Sequence, residues 1–310
     1  MKFTEIVGQE QTKRELKMRL DAFSAGQAMP SLLFIAPRGK GKTTLATATG
    51  LDMKERTNGT KRYFELNAAS IKNLKQFWNS VIIPVIHDRD VTLHIDEAHA
   101  IPMDVTNCIL TLINPNKENR NSYTYDDMTV DVNLRRQTFM FSTTEAQKMF
   151  HALVNRCRRI DLEEYSDAQM VTILTRNAKG VTFEKGVAEN VASTLRGTPR
   201  QAVMMAQDIA TYLAPTKRTK MTEQDWKALR HTLGILPLGL TRLELRVMEA
   251  LSRHRDSSLT RLAATLQMTP ASIQRDLELH LLRSGLITID TNGRNLTKAG
   301  HAYLKELTAP

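Results

Sequence analysis

Three observations predict an α/β fold, a parallel sheet built around a phosphate-binding loop, with further helical segments after it. First, the apolar run Leu32-Leu33-Phe34-Ile35 leads into Ala36-Pro37-Arg38-Gly39-Lys40-Gly41-Lys42-Thr43 and on into Thr44-Leu45-Ala46-Thr47-Ala48. This is the strand, loop and helix context that a P-loop requires. Second, Leu93-His94-Ile95-Asp96-Glu97 supplies an acidic strand end downstream. Third, short apolar strands alternate with helical segments, which implies a parallel sheet with helices on both faces.

Each element follows in order. Residues 10 to 24 carry a helical rhythm that Ala25-Gly26-Gln27-Ala28-Met29-Pro30 breaks before the P-loop strand. A second strand is predicted at 62 to 66, the end of a buried helix at 81 to 86, the acidic strand at 91 to 95 and a helix over 103 to 113. A polar loop, 114 to 121, then precedes Tyr123, Tyr125, Met128, Val130 and Val132, whose broken alternation ending at Leu134 reads as a hairpin. Two roles stay open for it: packing of its own aromatics, or contact with a partner or DNA. Residues 138 to 142 form another buried strand and 160 to 162 a short last one.

Ser166 with Gln169 is a capping box that starts a new helix, and from there to about Ile235 the chain reads as purely helical. Leu236-Pro237-Leu238-Gly239 marks a second boundary. The divisions are therefore a nucleotide-binding core at 1–163, a helical lid at 164–236 and a third domain at 237–310. In the last, helices are predicted at 241 to 254 and 258 to 267, and a third runs from a Thr269 cap, with Pro270 at its first position, to about Arg283. Ile287 and Leu296 then flank a hairpin tip with an Asn292-Gly293 turn signal. Three helices and a hairpin make a winged helix, a module that usually binds DNA. Ser272, Gln274 and Arg275 on the third helix and Arg294 at the wing are the side chains best placed for phosphate or groove contacts.

The chemistry follows from residue types. Backbone N–H groups of Pro37 to Thr44, other than that of proline, would cradle phosphates at a helix start, where the dipole favours negative charge. Lys42 would reach the β and γ phosphates and Thr43 would place its hydroxyl on Mg²⁺. Asp96 would hold the same ion and Glu97 would polarise the attacking water. Thr144, just past the fourth strand, would orient that water, with Thr143 as the fallback. Ala36 stands where the first glycine of the loop pattern belongs, so the backbone there is either regular or slightly strained.

Composition agrees. A formal charge of +10 over 310 residues favours an anionic partner, nucleic acid first. Two cysteines, Cys108 and Cys157, without paired spacing support neither a disulfide framework nor a cysteine zinc site. The N-terminus has no apolar signal core and no stretch approaches the ~18 apolar residues of a membrane span. A cytoplasmic protein without a membrane partner is predicted.

Phe3-Thr4-Glu5-Ile6-Val7-Gly8-Gln9-Glu10, the P-loop, Asp96-Glu97-Ala98-His99, Ser142-Thr143-Thr144, Asn155-Arg156-Cys157 and Arg196-Gly197-Thr198-Pro199-Arg200 stand in the order and spacing of an AAA+ ATPase. With its winged helix, the chain most resembles the RuvB-like branch-migration motors. That resemblance implies an adenine pocket lined by Val7, Gly8 and Gln9, Thr144 as sensor 1 and Arg200 as sensor 2. Arg156 would act as an arginine finger on the neighbouring subunit's ATP. It also implies a ring, most simply a hexamer, that hydrolyses ATP with Mg²⁺ and pulls duplex DNA or a four-way junction through itself. A recruiting partner, RuvA-like or another, would dock on the hairpin at 114–136. The alternative is an AAA+ helicase, clamp loader or initiator-like ATPase switch in DNA replication.

Overall fold

In the computed structural model, which describes residues 3–308, the chain divides into two compact units, one ending at Tyr165 and one beginning at Ser166. The first contains α1 (Glu10–Ser24), β1 (Leu32–Ile35), α2 (Lys42–Arg56), β2 (Arg62–Asn67) and α3 (Leu74–Phe77), which widens into a π-helical stretch over Trp78–Ile86. Then come β3 (Val91–Asp96), α4 (Met103–Leu112), a hairpin of β4 (Arg120–Tyr125) and β5 (Met128–Asn133), β6 (Gln137–Thr143), α5 (His151–Arg156) and β7 (Arg158–Asp161).

Five of these strands form one sheet in the order β2-β3-β6-β1-β7, every pairing parallel. Strand alternation divides the apolar side chains between two faces. Leu32 and Phe34 pack with Leu16 and Leu20 of α1 and Leu45, Ala46 and Met53 of α2. Leu33, Leu93, Ile95, Phe139 and Phe141 meet α4 and the π-helical stretch on the other side. The P-loop, Asp96 and Thr144 consequently emerge at one end of the sheet, the carboxyl ends of neighbouring strands.

The last strand starts two residues earlier than predicted, because Arg158 pairs with Leu32 and Ile160 with Phe34. The hairpin is where it was expected, and one of its two open roles is filled. Tyr123 and Tyr125 lie against Trp78 at ring distances of 5.9 and 5.5 Å, and Val130 and Val132 are buried. Its opposite face is polar and exposed, with the Thr124 and Thr129 hydroxyls joined across the strands at 2.8 Å.

The second unit begins with α6 (Asp167–Asn177), started by the expected Ser166–Gln169 capping box. The stretch to Ile235 is not purely helical. Between α6, α7 (Val187–Ala192), α8 (Pro199–Leu213) and α9 (Glu223–Thr232) lie two-residue strands, β8 (Thr182–Phe183) and β9 (Lys220–Met221), paired in parallel. Two residues are too few to leave a period in the sequence. Next are α10 (Arg242–Arg253), α11 (Leu259–Leu266), and α12 (Pro270–Ser272), which continues through a π-helical turn at Ile273–Glu278 into α13 (Leu279–Arg283). The wing is β10 (Ile287–Ile289) with β11 (Arg294–Leu296).

The wing turn sits one residue ahead of the Asn-Gly signal. Asp290 and Gly293 exchange backbone hydrogen bonds at 2.9 and 3.2 Å, leaving Thr291-Asn292 as the loop. Gly293 takes φ 143° because a Cβ there would lie 2.7 Å from the Asp256 carbonyl carbon. A further helix, α14 (Lys298–Thr308), was not foreseen; it packs Tyr303 into the three-helix core and donates the Tyr303 hydroxyl to Pro237 O at 2.8 Å. Among the described residues no helix is long and apolar enough to cross a membrane.

Candidate functional site

The loop between β1 and α2 has the shape its residues imply. Gly39 and Gly41 take φ 77° and 95°, the left-handed region that glycine adopts without steric cost, and turn the chain so that the fifteen-residue α2 starts at Lys42. Ala36 is not among the positive-φ residues, so the missing first glycine leaves the backbone regular. Lys42 is buried, with Nζ donating to Ala36 O at 2.8 Å and Pro37 O at 3.2 Å. Pro37, Arg38 and Thr44 are exposed. Lys40 is not available for phosphate through its side chain: it is buried and paired with the Glu164 carboxylate. Tyr165 donates to Lys40 O at 3.3 Å, and Gln9 exchanges two 2.8 Å hydrogen bonds with the Glu163 backbone. The segment after β7 therefore holds both the loop and the Val7-Gly8-Gln9 box, and the Gln9 amide is engaged in that clamp.

Thr43 Oγ1 donates to Asp96 Oδ2 at 2.9 Å, so a hydroxyl and a carboxylate meet at the helix start. Hard oxygens beside phosphate-facing N–H groups are the donors Mg²⁺ takes when substrate phosphates complete its shell. Among the described residues no group of three or more His, Cys, Asp or Glu could hold a metal. Glu97 follows at φ 51°, an uncommon conformation for a non-glycine residue, and its N–H donates to Asp96 Oδ1 at 2.9 Å. Such outliers persist where surroundings enforce them, commonly at functional sites.

Thr144 Oγ1 approaches Glu97 Oε2 at 3.4 Å, whereas Thr143 is fully buried and faces His99 Nδ1 at 3.0 Å. Thr144 is thus the residue beside the acid, and the fallback drops out. His99, which the sequence reading quoted in its acidic box without a role, lies between Glu97 and Glu145, at 3.5 and 3.4 Å. Arg156 is at the opposite end of the sheet. It ends α5, its Nε donates to Asn114 Oδ1 at 3.2 Å, and it lines a cavity of about 370 Å³ with Ser31, Gln137 and Arg158, residues at or before the first positions of their strands. Arg159, three residues on, is held by Asp161 at 2.7 and 2.8 Å. Arg200 occupies the first turn of α8, in the second unit.

Comparison with known proteins accounts for both units together. The model of the RuvB C-terminal winged helix domain matches residues 237–305. Holliday junction branch migration complex subunits RuvB from Campylobacter jejuni and Pseudothermotoga lettingae are each 25% identical. The alignments cover 98% and 97% of this chain and 90% and 87% of the relatives. A solved structure of the Thermotoga maritima RuvB Holliday junction branch migration motor superimposes at TM-score 0.78 and 22% identity. A single-substitution variant of it reaches 0.79, and both matches cover 98% of this chain and 97% of theirs. The chain is similar to these RuvB proteins over nearly its whole length.

In this RuvB-like chain the winged module corrects one predicted contact. Arg294 does not stand at the wing tip. It lies in β11, 11% exposed, paired with Glu278, itself 4% exposed. A guanidinium needed to neutralise a buried carboxylate is withheld from phosphate. Gln274 and Arg275 are exposed on the third helix, Arg275 beside Asp276 at 2.7 Å, and the Ser272 hydroxyl accepts from Thr269 at 2.9 Å. Arg261 on α11 is also exposed.

Proposed function

We propose that this chain is an ATP-driven DNA motor of the RuvB type that drives branch migration at Holliday junctions. The observation that carries this is the convergence, at the carboxyl ends of β1, β3 and β6, of Lys42, the Thr43–Asp96 pair and the Glu97–Thr144 pair. Bound Mg²⁺, held by Thr43 and Asp96, would neutralise charge on the transferring phosphoryl oxygens. Lys42 binds the phosphates, Glu97 takes the proton of the attacking water, and Thr144 orients that water along the line of displacement. Val7 and Gly8 border the base.

Assembly is part of the proposal. A strand rises ~3.3 Å per residue, so the seven-residue β6 separates the Arg156 end of the sheet from the Thr144 end by more than a guanidinium can span. Arg156 therefore serves a neighbouring subunit, where such a finger contributes on the order of 10³ to 10⁵ in rate. A ring follows, with a hexamer as its simplest closed form. Residues 1–163 are its ATPase core, 164–236 a lid that brings Arg200 to the nucleotide, and 237–310 the DNA-gripping module, through Ser272, Gln274 and Arg275. The exposed polar face of the β4–β5 hairpin is the docking site for a recruiting protein, RuvA-like or another.

Phosphate release from ATP, measured with and without duplex and four-way DNA over a range of protein concentrations, tests the proposal. Rates per subunit that climb with concentration and with DNA are expected. A concentration-independent rate that ignores DNA would leave an ATPase without a motor, and unidirectional movement on four-way DNA separates a motor from a replication switch.

A further inference from the structure

Behind the acidic strand end lies a buried polar chain that the ATPase assignment does not use. We propose that His94 is the positioning residue that fixes Asp96 and Glu97 relative to Thr144 and the P-loop helix, an inference that rests on the ATPase reading of the site. His94 shares a face of β3 with Asp96, two residues away, and is fully buried. Both ring nitrogens are engaged: Nδ1 with the Tyr63 hydroxyl at 2.8 Å and Nε2 with Ser142 Oγ at 2.7 Å. Tyr63 is on β2, and Ser142 is on β6, two residues before Thr144.

Tyr63 donates to Glu65 Oε2 at 2.9 Å, and His94 Nδ1 also stands 3.6 Å from that carboxylate oxygen. Thr47, one helical turn beyond Thr43 on α2, meets both the Tyr63 hydroxyl and Glu65 at 3.1 Å. One continuous chain thus links the helix carrying Lys42 and Thr43, the strand carrying Asp96 and Glu97, and the strand carrying Thr144.

Backbone makes room for it. Gly50 on α2 stands where a Cβ would come within 2.2 Å of the Tyr63 ring, although glycine in a helix interior is unfavourable by about 1 kcal/mol relative to alanine. A buried histidine in the middle strand needs both nitrogens satisfied to be tolerated. In return, three separate elements are held in one arrangement. An apolar side chain at 94 would keep the sheet paired through its backbone but would fix none of them to the others.

The test starts from wild-type ATP turnover; if none is found, the ATPase reading fails and not the role of His94. Given turnover, His94→Leu is expected to lower kcat about 10- to 100-fold, the range that misplacement by an ångström produces. KM for ATP should stay within about threefold, while the Mg²⁺ concentration for half-maximal rate rises. Tyr63→Phe and Ser142→Ala, each deleting one hydroxyl, should lower kcat in the same sense but less. His94→Asn, with an amide near Nδ1, should recover part of the Leu loss. Folded His94→Leu protein with wild-type kcat and Mg²⁺ dependence would overturn the proposal. If His94→Leu does not fold, wild-type kcat in both Tyr63→Phe and Ser142→Ala would overturn it equally.

Discussion

At the scale of single residues, the site separates binding from turnover. The proposed function gives Lys42 the phosphates and Glu97 the role of base, so removing them has different expected consequences. Lys42→Ala is expected to abolish binding of a fluorescent ATP analogue. Glu97→Gln is expected to bind it normally and to lose turnover by about 10² to 10⁴, the contribution of a positioned general base. Equal phosphate-release rates for Glu97→Gln and wild type would remove Glu97 from its role. Glu65 gives a pH test: the hydrogen bond from His94 is the largest cause that holds its carboxyl down to about 2. A folded pKa below the ordinary glutamate value of about 4.3 adds stability above that pH. The contribution is lost as pH falls from about 4.3 towards 2. Urea midpoints of wild type should thus fall more steeply than those of Glu65→Gln between these values; parallel curves would mean that the carboxylate is solvated.

At the scale of elements, pairs of charges decide which surfaces are open. In the winged module Arg294 and Glu278 tie β11 to the π-helical turn of the third helix. Removing one partner of such a pair strands the other charge in the interior, at a cost of about 3–5 kcal/mol. Arg294→Ala should therefore lower the denaturation midpoint by that equivalent, and Arg294→Ala with Glu278→Gln should recover much of it. A loss under about 1 kcal/mol, typical of an exposed pair, would return Arg294 to the candidate DNA surface. A second tie lies at the start of the segment carrying Arg200. Arg196 binds Gly239 O and, through both arms, the fully buried Glu244, whose carboxylate also caps α10 at Thr241. The Arg-Gly-Thr-Pro-Arg motif is thereby anchored to the winged helix within the second unit.

For the whole molecule, the P-loop and Arg156 lie at opposite ends of the sheet, and the proposed function assigns Arg156 to a neighbouring copy. Arg156→Ala should bind ATP as wild type does and lose the DNA-stimulated rate. Mixing it with Lys42→Ala protein should restore part of that rate, since each variant supplies what the other lacks at one interface. No recovery at any mixing ratio would place the finger elsewhere. Arg156 donates to the Asn114 amide oxygen and to the Ala152 carbonyl, each at 3.2 Å, whereas Arg159 is held by the Asp161 carboxylate.

The sequence alone determined the strand, loop and helix order, the parallel sheet, the P-loop and acidic strand end, and the winged helix. These follow from local periodicity, glycine placement and caps, which are written in adjacent residues. It singled out Thr144 as the residue just past a strand end, and the fold brings its hydroxyl to 3.4 Å from Glu97. Tertiary structure alone decided the rest. Arg294 looked like a wing contact until a buried Glu278, sixteen residues away, claimed it, and only the fold shows that the Lys40 side chain pairs with Glu164. His94 passed as a filler in an apolar strand until Tyr63 and Ser142 arrived on its two sides. A side chain's hydrogen-bond partners come from strands and loops remote in sequence, and no local pattern records which of them will meet.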